Sequence, residues 1–206
     1  MTSAKKPEWS RLHRKYPSLF TIMKEEAEMI QIQKTREIPE IRVETVPDQN
    51  GRRSTQWINA NDTAESIYAK IVKMLPAPNE PTAGQWAIKS YRGFGCIRLS
   101  EHEDIGAVAA IGQGICKYGT IFAEVTARVG PYEAADWMES GYRGAFNNLE
   151  EYARKDCESF GERLDALPRG ITDYIDYAAM GKDLESGSAI IVIPHWGMLH
   201  VFVPNQ

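Results

Sequence analysis

The side chains that could do covalent or metal chemistry in this chain are few: Cys96, Cys116, Cys157 and the pair His195 and His200. Two nearby imidazoles supply two ligands, but a zinc-type centre needs at least a third, and the sequence identifies none. The cysteines are odd in number, widely spaced and form no CxxC, which points to neither a disulfide framework nor a zinc site and fits a reduced, cytoplasmic compartment. Cys157 would be a nucleophile only with a base beside it; its place in a helical pattern reads better as a partly buried helix cysteine. Gly112-Gln-Gly114 is a fragment of a dinucleotide fingerprint, yet the next glycine position holds Lys117 and no strand precedes it. Helix packing explains those glycines better. There is no P-loop and no HExxH.

Acid is more abundant. The stretch Leu149–Glu162, LEEYARKDCESFGE, carries five carboxylates in fourteen residues, with Arg154 and Lys155 among them. On a helix, Leu149, Tyr152, Ala153, Cys157, Phe160 and Leu164 form one apolar stripe, so the rest faces outward. Glu150 stands four before Arg154 and Glu151 four before Lys155, the favourable orientation for helix ion pairs. Asp156, Glu158 and Glu162 have no such local partner, and Asp165 extends them. Fourteen helical residues span about 21 Å, a length over which duplex DNA holds about twelve charges. The net charge of the stretch is −3. Alone it is a sparse imitation of DNA. Glu133, Asp136, Glu139, Asp173, Asp176, Asp183 and Glu185 would have to share the surface, or a second subunit would have to lengthen it.

This acid is part of a polarity along the chain. Residues 1–40 hold eight Lys/Arg and six Asp/Glu, whereas residues 131–206 hold six and thirteen, within a formal net charge of −4 over 206 residues. An acidic final third repels nucleic acid and attracts basic surfaces. Lys5, Lys6, Arg11, Arg14 and Lys15 make a basic arm that reads as a solvated tail, and nothing resembles a recognition helix or an aromatic RNA platform. Apolar runs such as Ala189–Ile193 fall far short of the roughly 20 residues that cross a bilayer, and the basic start leads into no signal region.

The elements that position these residues are legible in outline. Residues 1–17 form the arm, and Leu19, Met23, Ala27 and Ile30 keep a helical spacing. IPEIRVETV (38–46) and STQWIN (54–59) pair as a hairpin around Asn50-Gly51. Asp62-x-x-Glu65 opens a helix with Ile67, Ile71 and Leu75 on one face. PAPNEPTAG (76–84) ends it, and QWAIKSY (85–91) is a strand beside the hairpin. Ser100-x-x-Glu103 caps DIGAVAAIGQGICKYG, and TIFAEVTARVG and PYEAADWMESG are short helices closed by glycine. Asn148-x-x-Glu151 caps a helix over about 149–164. Pro168 and Gly170 break the chain before a helical ITDYIDYAAMGKDLES, in which Ile171, Tyr174, Ile175 and Tyr177 form a packing face. SAIIVI and MLHVFV then close as a hairpin around a four-residue PHWG turn.

In this order the features resemble the ArdA antirestriction proteins of plasmids, conjugative transposons and phages. The resemblance runs from about Pro39 to Phe202. It is carried by IRVETV…STQWINAN, QWAIKSYRGF with LSEHED, ESGYRGAFNNLEEYARKDC, LPRGITDYIDYAAMGKDL and the closing HVF. It implies an α+β chain of small domains, elongated and homodimeric: an N-terminal extension 1–38, an αβ domain 39–92, a helical middle 93–139 and an acidic αβ domain 140–206. It also implies a non-catalytic inhibitor, without cofactor or metal, that occupies the DNA-binding groove of type I restriction–modification enzymes or a related DNA-binding defence protein. Asp156, Glu158 and Glu162 would then mimic phosphates, with Glu150, Glu151, Asp165, Asp173 and Asp176 alongside. The alternative is a mobile-element or phage interaction protein that keeps this fold and binds a different partner.

Overall fold

The computed structural model describes residues 37–75, 84–158, 170 and 174–204. The chain divides at Glu37/Ile38, and every described residue except Glu37 belongs to the second unit, Ile38–Gln206. The basic arm, the helix expected around Leu19–Ile30 and nearly all of PAPNEPTAG lie outside the described residues.

The architecture is α+β. Strands β1 (Glu40–Thr45) and β2 (Thr55–Asn59) form the expected hairpin, and β3 (Trp86–Arg92) pairs with the other edge of β1, giving an antiparallel sheet of order β2-β1-β3. Alternation in β1 explains why it is central. Ile41 and Val43 are fully buried, facing Ile58 and Ile88 across the two ladders, whereas Glu40 and Glu44 on the opposite face pair with Arg92 and Arg53.

Helix α1 (Ala64–Met74) lays Ile67 and Ile71 against this sheet. It starts one residue later than the sequence pattern suggests: Thr63, not Asp62, is the cap, its hydroxyl accepting the Ser66 N–H at 3.2 Å. Asp62 pairs instead with Lys70. A similar shift occurs at α2 (Ile105–Tyr118), whose cap is Asp104; Ser100 and Glu103 bond to each other in the preceding turn. In both cases a neighbouring hydroxyl or carboxylate takes the capping role, which spacing alone does not rank. Gly112 of α2 meets the end of the hairpin: a Cβ there would lie 2.2 Å from the Ala60 carbonyl oxygen. The Gly112-Gln-Gly114 pair is therefore a packing device.

Helices α3 (Ile121–Val129) and α4 (Pro131–Asp136) follow, then a wide π turn, Trp137–Gly141. That turn delivers a strand absent from the sequence reading, β4 (Tyr142–Phe146). The reason for the omission is a bulge. Gly144 adopts φ 127° and the register against β6 slips between Tyr142 and Gly144, so the two-residue alternation is broken. Helices α5 (Leu149–Glu158) and α6 (Tyr177–Ser186) come next, then β5 (Ile191–His195) and β6 (Met198–Phe202). The final turn is shorter than expected. Pro194 and His195 belong to β5, and Trp196 and Gly197 alone make the bend, with φ 49° and 78°, the left-handed pair of a two-residue hairpin.

The second sheet has order β4-β6-β5, so β6 is central. Its two faces serve different cores. Phe202 joins the large core built by the first sheet, α1, α2 and α3, and Val201 joins a smaller cluster with Phe146, Tyr152 and Ile190. Among the described residues, no helix is long and apolar enough to cross a membrane.

Candidate partner interface

Helix α5 opens on a reciprocal cap. Asn148 Oδ1 accepts the Glu151 N–H at 2.8 Å, and Glu151 Oε2 accepts from the backbone N–H and side-chain amide of Asn147 at 2.8 and 2.9 Å. The Asn147 bonds hold the Glu151 carboxyl below its ordinary range. Its capping contribution is therefore present above the usual carboxylate pKa and fades as pH falls through the depressed value. An Asn148→Ala chain should lose about 1 kcal/mol of stability, read as a lower urea midpoint at unchanged slope. No change in midpoint would mean that the helix start is held by other means.

The apolar stripe forms as expected over the described length: Tyr152, Ala153 and Cys157 are buried. Phe160 and Leu164 lie outside the described residues. The stripe packs on α6, where a Cβ at Gly181 would come within 2.6 Å of the Leu149 carbonyl oxygen and the Cys157 thiol donates to Met180 Sδ at 3.5 Å. Burial, then the nearby Asp156 charge, pushes the Cys157 thiol above its usual pKa, the opposite of what a nucleophile needs. Tyr174 departs from the expected packing face. It is 89% exposed and precedes α6, which begins only at Tyr177.

On the outer side, Glu150 and Arg154 pair at 3.1 Å with both side chains about half exposed, which contributes little stability. The Arg154 guanidinium also lies 4.5 Å from the Tyr177 ring centre. The expected Glu151–Lys155 pair does not form. Glu151 is committed to its cap, and the Lys155 ammonium sits 5.4 Å from the Phe146 ring centre. Both basic side chains of the stretch thus lean on aromatic rings.

The sequence-predicted acids fall into distinct positions. Glu150, Glu151 and Glu158 are exposed on α5. Asp156 turns partly inward and accepts the Tyr152 hydroxyl at 3.4 Å; burial first, and then Asp156, pushes that phenol up to about 12. Asp176 is exposed and caps α6, accepting the Ala179 N–H at 2.9 Å. Glu162, Asp165 and Asp173 lie outside the described residues. Because α6 packs on α5, its exposed Asp183 and Glu185 join the same helix pair. Together α5 and α6 with its cap carry seven carboxylates and three basic side chains, a net −4, equal to the formal charge of the whole chain. The rest of residues 131–206 adds a net −3, and residues 1–130 carry +3.

His195 and His200 do come together, ring centres 5.8 Å apart. Their other neighbours arrive from distant elements: Thr120 Oγ1 lies 2.9 Å from His195 Nε2, and the Tyr142 hydroxyl 3.0 Å from His200 Nδ1. Burial, then His195, lowers the His200 pKa. Among the described residues, no group of three or more His, Cys, Asp or Glu side chains is arranged to hold a metal ion. Sequence spacing gave no signal for Thr120 or Tyr142, since only the tertiary fold brings them to the histidines.

Compared with known proteins, the chain matches the family described as antirestriction protein (ArdA) over residues 49–196. No curated protein and no solved structure matches it. The matched span begins after β1, runs through both acidic helices and reaches the final turn. A match over well more than half of the sequence, taking in the helical middle and the acidic helix pair, makes this chain a member of the ArdA antirestriction family.

Proposed function

We propose that the chain is a non-catalytic inhibitor that offers the outer face of α5 and α6 in place of DNA to a type I restriction–modification enzyme or a related DNA-directed defence protein. The observation that carries this reading is the net −4 gathered on that one pair of packed helices, more than half of the −7 of residues 131–206. Glu150, Glu151, Asp156, Glu158 and Asp176 would face the partner, with Asp183 and Glu185 beside them and Glu162, Asp165 and Asp173 extending the set. The aromatic seats of Arg154 and Lys155 favour it too, since they draw the two basic groups toward Tyr177 and Phe146. Ten helical residues still cover only about 15 Å, where DNA carries about nine charges. A homodimer would lengthen the acidic edge, and we take that as the working assembly.

The test is inhibition of DNA cleavage by a purified type I restriction enzyme. Inhibition should be strong at low salt and weaken as ionic strength shortens the Debye length from about 30 Å at 0.01 M to about 8 Å at 0.15 M. Cleavage untouched by excess protein at low salt would leave the alternative, a partner other than a DNA-binding groove.

A further inference from the structure

Between the N-terminal turns of α1 and α2 lies an open cavity of about 500 Å³ that belongs to neither the acidic helix pair nor the histidine cluster. Its described lining includes the aromatic residues Tyr68 and Trp86, the acidic residues Glu65, Glu103 and Asp104, and Ile105. None of its described lining residues is basic.

The acids are fixed by the fold. Glu103 Oε2 accepts from the Ser100 N–H and hydroxyl, both at 3.0 Å, and Asp104 Oδ2 accepts the Ala107 N–H at 2.8 Å and the Tyr132 hydroxyl at 3.1 Å. Gly106 keeps that arrangement open, because a Cβ there would lie 2.8 Å from Asp104 Oδ2 and 3.0 Å from the Tyr132 hydroxyl. Two helix N-termini would by themselves favour an anion. Here the anions are already supplied by the chain, and the described lining residues add no positive charge to match them. Aromatic faces beside carboxylates suit a guanidinium or ammonium group, the rings through cation–π attraction and the acids through charge-assisted hydrogen bonds. The volume lies within the roughly 300–1,000 Å³ range of small-molecule sites.

We propose that this cavity binds a small organic cation, an alkyl guanidinium or alkylammonium whose charged head meets Glu65, Glu103 and Asp104 and whose apolar stem lies along Tyr68 and Trp86. The site is independent of the antirestriction reading and of the acidic face of α5 and α6.

Agmatine, which has a guanidinium and an ammonium on a four-carbon stem, is the probe, titrated into the full chain by calorimetry. It should bind one per chain. Glu65→Gln and Glu103→Gln each keep the side-chain shape and an accepting oxygen, and each should weaken binding about tenfold, as loss of one charge-assisted contact does. Tyr68→Ala should weaken it comparably, and Glu158→Gln on α5 should leave it unchanged. No binding to the folded wild-type chain would overturn the proposal. So would equal affinity in the Glu65→Gln and Glu103→Gln chains, or inorganic phosphate binding at the site in place of agmatine.

Discussion

Replacing Gly112 with alanine should destabilise the protein by about 3 kcal/mol, the upper end of what overpacking a well-filled interior costs. The sign is the informative part. In an exposed helix the same exchange stabilises by about 1 kcal/mol, because alanine is the better helix former. At Gly112 the added methyl would sit 2.2 Å from the Ala60 oxygen and 2.5 Å from its carbonyl carbon. These are backbone atoms at the end of the β1–β2 hairpin, where the Ala60 N–H is bonded to the Pro39 carbonyl at 2.9 Å. Neither partner can yield by turning a rotamer, so α2 must back away from the first sheet. That movement would open the large core around Val108, Ile111 and Ile115. A urea titration reads the result directly, and a Gly112→Ala chain as stable as the parent would mean that helix and hairpin are not locked together here.

Inhibition should fall at least 100-fold when Glu150, Glu158 and Asp183 are all reversed to lysine. Each reversal removes an attraction to a basic groove and adds a repulsion, and like-charge contacts across an interface cost several kcal/mol together. All three side chains are exposed, and none of them caps a helix. The folded chain should therefore survive, which a matched thermal melt would verify. Asp156 is a poorer choice for this purpose, because it receives the hydrogen bond of the buried Tyr152. If the triple reversal inhibited as well as the parent, the acidic helix pair would have no part in the activity and the partner would be sought on another face.

How far the sequence foretold this molecule depended on whether a feature was local. The first hairpin, β3 and the apolar stripe of α5 follow from alternation and helical spacing, and they form where expected. The Asn148-x-x-Glu151 cap is equally local and equally visible. Errors arose where two residues competed for one task. Thr63 displaced Asp62, Asp104 displaced Ser100, and Asn147 took the Glu151 carboxylate that Lys155 was expected to hold. β4 escaped because its bulge at Gly144 hides the alternation on which strand recognition rests. For the candidate interface, the acids on α5 were evident from charge alone, but their distribution was not. Only packing through Gly181 adds Asp183 and Glu185 to the same helix pair, and only the Tyr152 contact draws Asp156 inward.

The central place of β6 also sets an order of events during synthesis. β4 and β5 do not touch each other in the sheet; each pairs only with β6, which leaves the ribosome last of the three. At translation rates of about 5–20 residues per second, Tyr142 would wait roughly 3 to 12 seconds for its partner Phe202. For most of that interval the nascent chain carries β4 unpaired, joined by β5 only near its end, and a large core without its Phe202 side chain. The acidic helices, made between β4 and β5, give that waiting segment a net negative charge, which favours its solubility.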